Sequence, residues 1–191
     1  MASKKRLTRE DWVQAAIALG AEVGFDKIAV DALAPRLGAT RGSFYWHFTD
    51  RAELIDAVLA HWEQVATAGT IDALADLPPE AAMEQLIGAA FGATAEEDAA
   101  EWRLISALDD PQIGPVVARV HRRRMAFIEE LLRQGGAEDA VASERARLAY
   151  AAYLGSLVLR QFDPDGPNLG PGLGRLFTPP SPQQPDHQTP G

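Results

Sequence analysis

A chain of 191 residues with a formal charge of -9 and no cysteine is long enough for one sizeable core, or a small module on a larger body, but not for two full-sized domains. The lack of cysteine excludes a disulfide framework and a thiolate zinc site and suits a reducing cytoplasm, where the chain is expected to reside. No apolar run reaches the roughly 18 residues of a membrane span, and the opening MASKKRLTRED lacks the apolar core of a secretion signal, so no membrane anchoring is expected.

The acidity is uneven. Through residue 51 there are eight Lys/Arg against six Asp/Glu, whereas the remainder holds ten against twenty-one. Lys4, Lys5 and Arg6 form a short basic arm suited to attracting phosphate. Prolines and glycines divide the rest of the chain into helical blocks, and no stretch alternates as a strand should, which predicts an all-α fold. Thr8 is placed to cap a first helix carrying Trp12, Ala16, Leu19 and Val23, with Gly24 as its stop. A second, short helix spans residues 30–37 and ends at Gly38. Thr40 then caps a third over residues 41–48. Two short helices joined by a tight glycine turn make a helix-turn-helix.

Asp50 caps a fourth helix bearing Leu54, Ile55, Val58, Leu59, Trp62 and Val65, predicted to end near Gly69. Pro78 and Pro79 open the next, and Trp102, Ile105 and Leu108 mark the apolar stripe of a short one after it. A longer helix runs from Ile113 to the glycines at 135 and 136. The last, over residues 143–162, is apolar nearly all round between Leu148 and Leu159, which requires burial on every side and hence a second subunit. Eight of the thirteen prolines and five of the sixteen glycines lie in residues 163–191. These are expected to form a flexible tail, its start tacked to the body by Leu173, Leu176 and Phe177. The chain thus divides into a helix-turn-helix module over 1–50, a helical dimerisation domain over 51–162, and the tail.

In the third helix, Phe44 and Phe48 share one face and should pack against Leu33, Leu37 and the first helix. Arg41, Gly42, Ser43, Tyr45, Trp46 and His47 are left to point elsewhere. An arginine there can grip guanine in the major groove, while Tyr45, His47 and Arg51 are better placed for phosphates. With these residues in view, LGATRGSFYWHFTDRAEL (residues 37–54) resembles the reading head of the TetR family of bacterial transcriptional regulators, and GFDKIAVDALAPRLG just upstream fits as well. The resemblance implies that Arg41, Gly42, Ser43 and Trp46 face bases, and that Thr40, Tyr45, His47 and Arg51 hold phosphates. Two residues depart from the pattern. Ala29 replaces the usual hydroxyl cap of the second helix, and Pro35 inside that helix should kink it or tighten it toward 3₁₀ geometry.

The resemblance also implies a C-terminal antiparallel helical body enclosing an effector. Its lining candidates are Trp62, Phe91, Met125 and Tyr153, with Trp102, His121 and Tyr150 put forward as effector contacts. Carboxylates 96, 97, 98 and 101 read as a charged helix start, and Arg122, Arg123 and Arg124 as a solvated or intersubunit face. No Glu-x-x-His or His-Glu-x-x-His spacing occurs, and no serine sits in a nucleophile elbow. Catalytic residues, a metal and a cofactor are therefore not expected. The function implied is a homodimeric repressor of a palindromic double-stranded operator, with reading helices about 34 to 36 Å apart, relieved by a small molecule. The alternative is an all-α carrier or sensor that retains a vestigial reading head.

Overall fold

The computed structural model describes residues 6–177. Lys4 and Lys5 of the basic arm, His187 and the end of the expected tail lie outside the described residues. All regular structure among those described is helical: α1 (Arg9–Val23), α2 (Val30–Arg36), α3 (Arg41–Phe44), α4 (Arg51–Glu63), α5 (Gly69–Leu74), α6 (Pro79–Phe91), α7 (Ala95–Ile105), α8 (Ile113–Gln134), α9 (Asp139–Phe162) and α10 (Gly170–Phe177).

Capping chemistry sets most boundaries. Thr8 and Asp11 form a reciprocal capping box at α1, and Thr94 and Glu97 form another at α7. Glu97 is held below the usual carboxylate range, first by the Thr94 backbone N–H it accepts and then by the Thr94 hydroxyl. Thr40 and Asp50 accept the backbone N–H of Ser43 and Glu53 and so start α3 and α4. α2 begins without a side-chain cap at Ala29, as expected. Pro35 does not break α2: it is the sixth of seven helical residues, so the donor it lacks costs one i→i−4 bond in a helix that is already ending. The chain then turns through a Schellman motif. Gly38, at φ +57°, donates to Pro35 O at 3.0 Å, and Ala39 donates to Ala34 O at 2.8 Å. The same motif, through Gly136 at φ +92°, ends α8.

Two expectations are corrected. Gly69 does not stop the fourth helix; the chain passes through one π-helical turn, Gln64–Ala68, and continues as α5. A π turn offsets the two helical segments without ending the run. The tail is ordered at its start: α10 packs on α6, the Asn168 side chain donates to Phe91 O at 3.0 Å, and Leu173 is buried while Leu176 is exposed. In the single chain α9 leaves an apolar stripe uncovered, as expected of a helix that needs a second subunit to bury it. Val141, Leu148, Leu159 and Phe162 are exposed, Leu148 by 61% and Phe162 by 80%. At 100° per residue these four fall within one narrow stripe.

Two apolar clusters build the interior. One runs from Trp12, Phe25, Phe44 and Phe48 through Leu54, Val58 and Trp62 of α4 to Leu104 of α7 and Val117 of α8. The other joins α6, α8 and α9 around Met83, Leu131 and Tyr150. The first cluster crosses residue 51 without a gap, so α1 to α3 share their core with the body that carries them.

Candidate nucleic-acid interface and ligand cavity

The short third helix faces two ways for a steric reason. Phe44 and Phe48 are buried, their rings stacked at 5.3 Å, and the Phe44 ring meets the Trp12 ring edge-on at 5.4 Å. Regular helix stops at Phe44, not at 48, and residues 45–47 fold back as turns closed by His47 N–H to Phe44 O at 2.9 Å and Phe48 N–H to Phe44 O at 3.1 Å. The same fold-back turns the neighbouring rings outward: Tyr45 is 51% and Trp46 86% exposed. Arg41 lies beside them, exposed and 3.5 Å from the equally exposed Asp31. An ion pair that long and that solvated holds the guanidinium weakly. Thr40 and Gly42 are exposed, and Ser43 and His47 half-exposed. A Cβ added at Gly42 would meet only the Thr40 hydroxyl, at 3.8 Å, so nothing inside the protein requires glycine there.

Arg51 is placed differently from the expectation. Its half-buried guanidinium turns inward, Nε donating to Ile28 O at 2.6 Å and Nη2 to Phe25 O and Asp26 O at 2.8 and 2.9 Å. These carbonyls belong to the 3₁₀ turn Phe25–Lys27 and the residue after it, where a helix end leaves acceptors unfilled. Arg51 clamps that turn instead of presenting its charge outward. Two other head arginines are also engaged: Arg36 with Glu22 at 2.7 Å, and Arg9 with Glu53 at 3.2 Å.

Behind the head lies a cavity of about 780 Å³. Its walls come from every helix of the body from α4 to α10, and from Gln14, Ile17 and Phe25 of the head. Of the sequence candidates, Trp62, Phe91, Tyr150 and Tyr153 line it; Trp102, Met125 and His121 do not. Trp102 is half-buried elsewhere on α7. His121 stands behind the wall, hydrogen-bonded through Nδ1 to the Tyr150 hydroxyl and edge-on to Trp62 at 6.5 Å. Burial holds its imidazole below the usual histidine range.

Sequence reasoning missed the most polar part of the wall. Glu101 on α7 and Arg124 on α8, read as a helix start and a solvated face, form an ion pair whose side chains are only 7% and 13% exposed. Trp62 Nε1 donates to Glu101 Oε2 at 2.8 Å. Arg124 Nε donates to the Thr67 hydroxyl at 2.8 Å and Nη2 to Ala66 O at 3.2 Å, so the pair also clasps the π turn. Asp98, likewise buried, is held by Arg160 of α9 at 2.7 and 2.9 Å. Tyr153, beside Arg124, has its hydroxyl pushed well above the usual phenol range, by burial first and then by the charge of Glu101. Among the described residues no cluster of histidine and carboxylate side chains could hold a metal ion, and no helix is long and apolar enough to cross a membrane.

The architecture is thus an all-helical body carrying a helix-turn-helix, with two exposed aromatics directly after the second of the paired helices. Residues 13–58 match the family of bacterial regulatory proteins called the tetR family. The chain is 36% identical over 59 residues to the HTH-type transcriptional regulator TtgW of Pseudomonas putida, a match that covers 31% of this chain and 44% of that protein. The chain thus matches less than half the length of that relative. Its fold is that of a TetR transcriptional regulator from Legionella pneumophila, with a TM-score of 0.76 at 16% identity over 90% of this chain and 95% of the other. It is also that of a transcriptional regulator from Saccharomonospora viridis crystallised with choline, with a TM-score of 0.73 at 16% identity over 88% and 92%.

Proposed function

We propose that the protein is a dimeric, sequence-specific DNA-binding transcriptional regulator, a repressor whose hold on a palindromic operator is loosened by a small molecule in the cavity. The observation that carries this reading is the outward set of Tyr45 and Trp46 beside a loosely held Arg41, on a turn whose other face is locked into the core by Phe44 and Phe48. Arg41, Gly42, Ser43 and Trp46 read base edges, and Thr40, Tyr45 and His47 hold phosphates. Arg51 acts through the turn it clamps. The apolar stripe of α9 supports a second copy packed along that helix, since a row of large apolar side chains in water marks an interface.

The cavity and the head are coupled by shared residues. Phe25 forms part of the cavity wall, and its carbonyl is one of the three that Arg51 holds. Val58 and Trp62, on the helix that starts at Arg51, line the same space. A ligand that prefers one setting of these walls therefore biases the spacing of the two reading heads. Each tenfold loss of operator affinity requires about 1.4 kcal/mol of differential ligand affinity for the two settings.

Duplexes selected from a random pool by the purified protein should converge on a palindrome. Arg41→Ala should then weaken binding to it by about 1 to 3 kcal/mol and relax one base position. Gly42→Ala separates folding from recognition. Helix propensity and the open space around Gly42 predict a stability gain of about 0.4 to 1 kcal/mol, while the added methyl lowers operator affinity. If a duplex selected by the wild type binds both variants as well as the parent, the reading face is wrongly assigned.

A further inference from the structure

The wall of the cavity contains formal charges, yet each is already answered inside the protein or lies in water at the edge. Glu101 and Arg124 face one another, and their remaining capacity goes to Trp62 Nε1, the Thr67 hydroxyl and Ala66 O. Asp98 is matched by Arg160. Glu96 and Glu97 are exposed, and Glu97 is committed to capping α7. The Tyr150 hydroxyl is taken by His121, and the Arg124 guanidinium already covers the Trp62 ring, 5.4 Å from its centroid. His61, half-exposed, is engaged by Glu10 at 3.4 Å and by Gln14 at 3.1 Å, and the Tyr153 hydroxyl interacts with Arg124. The rest of the surface facing the space is mainly hydrocarbon and aromatic, from α6, α8 and α10, together with the Thr70 hydroxyl.

An anion placed here would meet the carboxylate of Glu101 and could reach Arg124 only by displacing it. A cation would meet Arg124, find both buried carboxylates occupied, and find the indole face covered. Placed against that pair, either ion would give up water without gaining a partner, and burying an unpaired charge is among the most costly events in a protein interior. An uncharged molecule loses nothing of the kind and gains by covering apolar wall. We infer that the cavity selects a neutral, largely hydrophobic ligand of drug-like size, and that the Glu101–Arg124 pair serves as a charge filter that rejects ionic analogues of the same shape. This inference rests on the proposed effector role of the cavity and names its ligand class.

Three probes with one chain and three head charges test it: 1-decanol, decanoate and decyltrimethylammonium, each below its aggregation concentration, titrated calorimetrically into the full-length protein. Decanol should bind at least about tenfold more tightly than either ion. Glu101→Gln keeps an acceptor for Trp62 and frees Arg124 from its carboxylate, so decanoate should gain about tenfold in affinity while decanol changes little. The inference is overturned if either ion matches decanol in the wild-type protein, if none of the three binds, or if Glu101→Gln leaves the preference for decanol over decanoate unchanged. Operator binding, measured in parallel, tests the underlying regulatory reading separately. Decanol that binds without altering operator affinity removes the effector role and leaves the ligand class standing.

Discussion

Glu101→Ala is expected to destabilise the protein by about 3 to 5 kcal/mol, because it leaves the Arg124 guanidinium buried without a counter-charge and strips Trp62 Nε1 of its acceptor. For a chain of this length that corresponds to a fall in unfolding temperature of about 10 °C, measured at equal protein concentration because self-association makes a midpoint depend on it. The cost comes from the orphaned charge more than from any large net gain in the pair, so replacing both partners should cost less than replacing Glu101 alone. Glu101→Leu combined with Arg124→Leu should recover at least half the loss, since apolar replacement of a buried ion pair is often neutral or better. The double-mutant cycle isolates that coupling. A loss of less than about 1 kcal/mol in Glu101→Ala would mean that water reaches the pair freely, and the charge filter would lose its basis.

That this pair escaped a reading of the sequence has a physical explanation. By hydrophobicity alone the stripe Trp102, Ile105 and Leu108 looks like an inward face running off the end of α7, yet the residues of α7 that are buried are Asp98, Ala100, Glu101 and Leu104, roughly a quarter-turn round the helix. Hydropathy assigns acids to solvent. It cannot register that Arg124 and Arg160 arrive from α8 and α9, far along the chain, to neutralise them. The run Arg122, Arg123 and Arg124 shows the same limit: three adjacent arginines point in three directions, and only tertiary packing selects the one that turns inward. The head was far more legible because its determinants are local. Thr8, Thr40 and Asp50 cap the helices they precede, Gly38 supplies a left-handed turn, and Phe44 and Phe48 four apart both enter the core. The π turn at Gln64–Ala68 had no local signature. It is held from outside by the Arg124 contacts to Thr67 and Ala66, so a glycine at 69 that ends helices elsewhere lies inside a continuing one here.

Arg51 brings the local and tertiary arguments together, and its replacement by alanine separates two roles that the sequence could not distinguish. A phosphate contact predicts unchanged stability and a salt dependence of operator binding that flattens by about one unit of slope per half-site. The clamp on Phe25, Asp26 and Ile28 predicts the reverse. Hydrogen bonds from a charged donor contribute about 1.5 to 3 kcal/mol each, but the three share one guanidinium and do not add independently, so Arg51→Ala should cost about 2 to 4 kcal/mol of stability. Below its unfolding transition the variant should bind the operator more weakly with its salt slope retained, because the loosened turn no longer fixes the entry to α2 and the seat of Phe25 in the cavity wall. Arg51→Lys should recover only part of the stability, since an ammonium carries the charge without the fork that reaches three carbonyls. Full stability in Arg51→Ala together with a flattened salt slope would return the residue to the DNA surface. The route from the cavity to the reading head would then have to run through α4 alone.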